Sequence, residues 1–105
     1  MMTDRPARHY GLRDRGRIAE GFHADLVVFD PATVATLPAT VEHDLPGGGE
    51  RLFAGSSGVS HVFVSGVEVV TGGAVTDRRP GRVLRSGRDT DTVTLAEVRR
   101  SRPRR

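Results

Sequence analysis

GRIAEGFHADLVVFD, residues 16–30, sets four consecutive apolar residues, Leu26 to Phe29, between Asp25 and Asp30. A short apolar run rich in valine and bounded by polar residues reads as a strand buried on both faces. Pro31 ends it, because proline cannot donate to a ladder. Asp25 and Asp30 are too far apart for concerted acid–base work, roughly 16 Å at ~3.3 Å per residue and on opposite faces. They read as polar stops at the strand ends. Upstream, Thr3 or Asp4 can cap a helix that has Pro6 in its first turn and Gly11 as its stop. Two turns do not persist alone, so this reads as the end of a longer element. Residues 12–21 read as a charged, glycine-punctuated connection.

Downstream, residues 33–40 carry no clear period, and residues 43–49, His-Asp-Leu-Pro-Gly-Gly-Gly, read as a flexible loop. Residues 61–65 form a second strand. Ser65-Gly66 is a two-residue turn into a third, residues 67–70. Thr71-Gly72-Gly73 turns again into residues 74–76. Pro80-Gly81 precedes a last apolar pair, Val83-Leu84, and residues 95–100 offer a fragment of helix. No internal repeat is present. Three to five short strands and a helix stub make a sheet whose remaining strands lie elsewhere.

Leu, Ile, Val and Phe supply about a quarter of the 105 residues, with valine dominant and no Trp. That is enough for a folded domain and thin for its core. All sixteen basic residues are arginine; residues 1–85 carry ten of them against ten acids, so the tail alone holds the net charge of +3. Neutrality of the body, and a lack of aromatics beside the arginines, argue against a specific nucleic-acid partner. Zero cysteine excludes a disulfide framework. The N-terminus has no apolar signal region and no run is long enough to span a membrane. A soluble cytoplasmic protein is the expectation.

The four histidines, at 9, 23, 43 and 61, form none of the spacings that set two imidazoles on one metal. His43 beside Asp44 in a glycine-rich segment is the one pair suited to contacting a substrate, although a polar loop with Asx-type turns is the more ordinary account of it. Gly47-Gly-Gly-Glu-Arg51 lacks the Gly-Lys-Ser/Thr ending of a phosphate loop. Gly55-Ser-Ser-Gly58 lacks the Gly-x-Ser-x-Gly of a nucleophile elbow.

The opening phrase has a wider context. Residues 10–34, YGLRDRGRIAEGFHADLVVFDPATV, resemble the C-terminal signature of the amidohydrolase superfamily, through Gly16, Ile18, Gly21, Ala24, Asp25, Leu26, Val27, Val28, Phe29 and Asp30. The segment from Val41 to Gly87 is similar to the end of the D-aminoacylase-like branch, the N-acyl-D-amino-acid deacylases. The likeness runs through His43-Asp44-Leu45-Pro46, Val64-Ser65-Gly66-Val67 and Pro80-Gly81-Arg82 with Leu84-Arg85. Ser65 stands where Asn is usual in that branch, and Thr76-Asp77 where Thr-Gly is usual. The resemblance implies a chain returning from a catalytic barrel to a small β-sandwich. It also implies a zinc centre in the full-length enzyme, built from an early His-x-His, later histidines, a Cys or carboxylated Lys, and an Asp that shuttles the proton. With no Lys, no Cys and no His-x-His, this chain lacks those elements, and no cofactor is expected in it.

The expectation is therefore a mainly β chain, part of a small β-sandwich, in three segments. Residues 1–11 are the end of a helix from the missing barrel, residues 12–86 the β-sandwich segment, and residues 87–105 a disordered Arg-rich tail. Its partner is the missing barrel, in cis or encoded separately. It carries no catalytic or metal residue, and Val27, Phe29, Phe63 and Val69 should lie on a partly open face. The alternative is a stand-alone β-rich interaction module without enzymatic activity.

Overall fold

A computed structural model of the chain describes residues 2–94 and 96. The described residues are mainly β, with a short helix near the N-terminus. Helix α1, Asp4–His9, has Asp4 in its first turn and Arg8 and His9 in its last, which complements the helix dipole. Arg8 and Asp4 also pair one turn apart at 3.0 Å. Thr3 makes no side-chain cap; its carbonyl accepts from Ala7 N–H at 3.1 Å. Gly11, at φ 63°, ends the helix. Leu12 N–H reaches back to Ala7 O at 2.8 Å and Gly11 N–H to Arg8 O at 3.3 Å, the paired bonds of a Schellman motif.

Eight strands follow among the described residues: β1 Leu26–Phe29, β2 Ala35–Thr36, β3 Thr40–Leu45, β4 Gly49–Phe53, β5 Ser56–Ser57, β6 Val59–Val64, β7 Val67–Thr71 and β8 Ala74–Val75. The main sheet is antiparallel in the order β1-β6-β7-β8. Ser65 (φ 50°) and Gly66 (φ 78°) close β6 onto β7, and Gly72 (φ 55°) and Gly73 (φ 81°) close β7 onto β8. Both pairs have the positive φ values of a type I′ turn, whose twist matches that of paired strands. The turn at residues 65–66 and the strand at 26–29 form as their residues require.

Between β1 and β6 the chain makes a long excursion. β2 pairs with β5, Leu37 N–H donates to Gly55 O at 2.9 Å, and β3 pairs with β4. The result is a continuous two-stranded arm, residues 34–57, capped by a 3₁₀ turn at Pro46–Gly48. The expected loop at 43–49 is thus corrected: residues 43–45 belong to β3, 46–48 to the turn, and Gly49 opens β4. Alternating side chains in Val41-Glu42 and Arg51-Leu52 pair across the arm, which a glycine-run reading misses. The irregular reading of residues 33–40 is corrected in part by β2. Val83 and Leu84 form no strand.

The burial expected of β1 on both faces does not occur. Val27, Val28 and Phe29 are 57%, 46% and 52% exposed, because β1 is an edge strand with no layer above it. Phe63 and Val69 are half-buried. Ala7, 4% exposed, is the one buried apolar residue among the described residues. The accessible surface is 8809 Å², against about 5,700 Å² for a compact chain of this mass. The chain makes strands without closing a core.

Residues 87–91 form a turn held against the N-terminal connection: Leu12 bridges Thr90, and Asp91 N–H donates to Gly11 O at 2.8 Å. The helix fragment at 95–100, Ala96 aside, and residues 101–105 of the Arg-rich tail lie outside the described residues.

Candidate functional site

His43 and Asp44 sit on β3 at an irregularity in the arm. Glu42 faces Arg51 and Leu45 faces Gly49, so two residues of β3 oppose Glu50 alone. Such a bulge re-aims side chains. His43 Nδ1 lies 3.4 Å from Glu50 Oε1. Asp44 takes a fork of two bonds from Arg51, at 2.7 Å from Nε and 2.5 Å from Nη2. The guanidinium also lies over the Phe53 ring, 5.1 Å from its centre. The Arg51 fork holds the Asp44 carboxyl below its ordinary value, and Asp44 in turn raises the Arg51 guanidinium. A carboxylate so engaged is a weak base, and the bulge can present polar groups to a ligand.

The two aspartates around β1 act structurally. Asp25 Oδ1 accepts from Ser65 N–H at 2.8 Å and Oδ2 pairs with Arg15. Partial burial pushes its carboxyl up, but the Ser65 N–H and the Arg15 charge outweigh that and leave it below its ordinary value. Asp30 Oδ1 accepts from Ala32 N–H at 2.9 Å and Oδ2 from Thr33 Oγ1 at 3.0 Å, an Asx turn that bends the chain out of β1.

The histidines are scattered. His9 packs edge-on to Tyr10, His61 Nδ1 lies 2.6 Å from Glu68 Oε1 across β6 and β7, and His23 precedes β1. Among the described residues no three His, Cys, Asp or Glu side chains converge as a metal would require. The donors among the described residues do not fit a metal centre.

A feature the sequence reading missed is a polar cleft of about 260 Å³, lined by Arg13, Arg15, His23, Arg82, Arg88 and Asp89. Its residues come from segments far apart in the chain. The arginine-dense stretches 13–17 and 78–88 were its only trace in the sequence.

Comparison with known proteins agrees with the resemblance carried by residues 10–34. An amidohydrolase family model matches residues 1–70. D-aminoacylase of Alcaligenes xylosoxydans xylosoxydans is 45% identical over 83 residues, 79% of this chain and 15% of that protein. The N-acyl-D-aspartate deacylase of the same organism is 39% identical over 89 residues, 82% of this chain and 16% of its own length. Its N-acyl-D-glutamate deacylase is 41% identical over 99 residues, 94% of this chain and 18% of its own. No solved structure matches. This chain thus spans under a fifth of the relatives it matches. No helix among the described residues is long and apolar enough to cross a membrane. The family is generally metal-dependent, and among the described residues of this chain there is no metal cluster. With two thirds of its length under that match and three deacylases alongside, the chain belongs to the amidohydrolase family.

Proposed function

We propose that this chain is the C-terminal, non-catalytic β segment of an amidohydrolase of the D-aminoacylase type, serving a barrel that carries the metal, zinc on this reading, and hydrolyses N-acyl-D-amino acids. One observation carries the proposal: apolar strands such as β1 are formed but left half-exposed, in a chain that spans only 15–18% of its deacylase relatives. A sheet with its register set and its faces open is suited to finishing a larger fold. On this reading the barrel, in cis or encoded separately, is its partner, and His43 and Asp44 at the arm's bulge contact the substrate. A cytoplasmic location goes with this reading.

A chimera tests it. The 15% of Alcaligenes D-aminoacylase that this chain matches is replaced by it, and hydrolysis of N-acyl-D-amino acids is measured beside the parent and a parent lacking that stretch. The reading expects a folded chimera within about tenfold of the parent rate, and an insoluble or inactive truncation. A truncation as active as the parent, or a folded chimera without activity, overturns it.

A further inference from the structure

The cleft is a built feature. Gly11 O accepts from Asp91 N–H at 2.8 Å, and a Cβ at Gly11 would fall 2.0 Å from Asp91 O, so the two backbones are in direct contact. Arg13 fastens the same wall with bonds to Asp91 Oδ1 (2.7 Å), Thr90 O (3.2 Å) and Arg88 O (3.4 Å). The other wall is tied where His23 N–H donates to Asp14 O at 2.8 Å and where Arg15 pairs with Asp25. The Arg15 side chain is only 14% exposed, a cation held in place.

Charge is lopsided inside it. Four guanidinium groups line the cleft against the carboxylates of Asp14 and Asp89. Arg13 is occupied in the wall and Arg88 spends Nε and Nη2 on Asp89. Arg82 makes no hydrogen bond or ion pair among the described residues. Each guanidinium carries five N–H donors, so Arg15, Arg82 and Arg88 keep donors in hand. The Asp89 carboxyl is held below its ordinary value by the Arg88 bonds first, then by the Arg85 N–H and the charges of Arg82 and Arg13. Val83 and Leu84 supply a short apolar wall.

We propose that this cleft binds a small anion, its phosphate or carboxylate group held by Arg15, Arg82 and Arg88. Planar guanidinium groups match the paired oxygens of either. A volume of about 260 Å³ falls just below the ~300–1,000 Å³ of pockets for drug-sized ligands, which sets the size. The proposal does not depend on the chain's role beside a barrel.

Titration of the ¹⁵N-labelled 105-residue chain with inorganic phosphate, and separately with succinate, tests it at constant ionic strength held with sodium chloride. Saturable shifts are expected at residues 13–15, 23 and 82–84, and the tighter ligand identifies the class. Arg82→Ala should weaken binding about tenfold or more while leaving the spectrum away from Asp89 unaltered, since Arg82 makes no hydrogen bond or ion pair among the described residues and acts on Asp89 through its charge. Arg78→Ala, outside the cleft, should leave it unchanged. Shifts that do not saturate, that spread over all arginine-bearing segments, or that survive Arg82→Ala overturn the proposal.

Discussion

The four-stranded sheet and the arm at 34–57 are made from the same kind of sequence, and they end up differently supported. In the sheet, β6 is flanked by β1 and β7 and is half-buried along its length. In the arm, β3 and β4 have only each other, and Val41, Leu52 and Phe53 are 52%, 76% and 46% exposed. Turn chemistry differs too: two residues of type I′ close the sheet hairpins, whereas a 3₁₀ turn and a bulge close the arm. Local rules suffice to pair strands in both places. Burial needs a third neighbour, and only the sheet has one.

Glycines give the sharpest way to break this contrast. Gly58, at φ 74°, lies where β5 passes into β6, and a Cβ there would sit 2.4 Å from Val34 N. Gly58→Ala therefore forces the Asp30–Val34 turn off β6 besides adopting a disfavoured backbone, and should cost about 3 kcal/mol. Gly48, at the arm's tip and φ 73°, meets nothing within 4 Å, so Gly48→Ala bears only the backbone penalty, about 1–2 kcal/mol. Urea midpoints of the two variants should differ clearly. Equal midpoints would mean that the junction yields as readily as the tip, and the contrast would fail.

Which parts were legible follows the same division. Ser65-Gly66 could be read because the turn needs positive φ at both positions and those residues supply it. Leu26–Phe29 could be read as a strand, but its exposure could not, since burial is set by neighbours and β1 has one. In residues 43–49 three glycines suggested freedom, while pairing of Val41 with Leu52 set the strand positions on either side. His43 and Asp44 were visible as a pair, but the Arg51 fork and the Glu50 contact appear only once the strands are in register. The arginine cleft was beyond reach, because residues near 13, 23 and 88 meet through contacts far apart in the chain, such as Gly11 with Asp91, Leu12 with Thr90 and Arg13 with Arg88 O.

Asp25 tests the sheet's end with a smaller effect. Its carboxylate joins the start of β1 to the turn between β6 and β7. Its value is depressed, so the stability it adds is complete above the ordinary 3.8 and is lost as pH falls through the folded value below it. Protection of the Ser65 amide against hydrogen exchange should hold steady from neutral pH down to the ordinary carboxylate range and fall only under it. Asp25→Asn should cost about 1 kcal/mol at neutral pH and remove the acid step. An acid step unchanged in Asp25→Asn would assign it to another carboxylate.

The arm's own ion pair should matter least. Asp44 is also held below its ordinary value, by the Arg51 fork, so by the same sign its contribution is present at neutral pH and lost in acid. Yet Asp44 and Arg51 are 52% and 41% exposed, and water and salt screen a pair at the surface. Backbone pairing between β3 and β4, not this pair, then sets the arm's register. Asp44→Asn should leave the melting temperature within error of the parent while moving the Arg51 Nε resonance, and 0.5 M salt, with a Debye length of about 4 Å, should shift that resonance the same way in the parent. If amide protection across β3 and β4 collapsed in Asp44→Asn while that of β6 and β7 stayed intact, the arm would be held by its side chains. The two hairpins would then differ in what pairs their strands, and not only in what covers them.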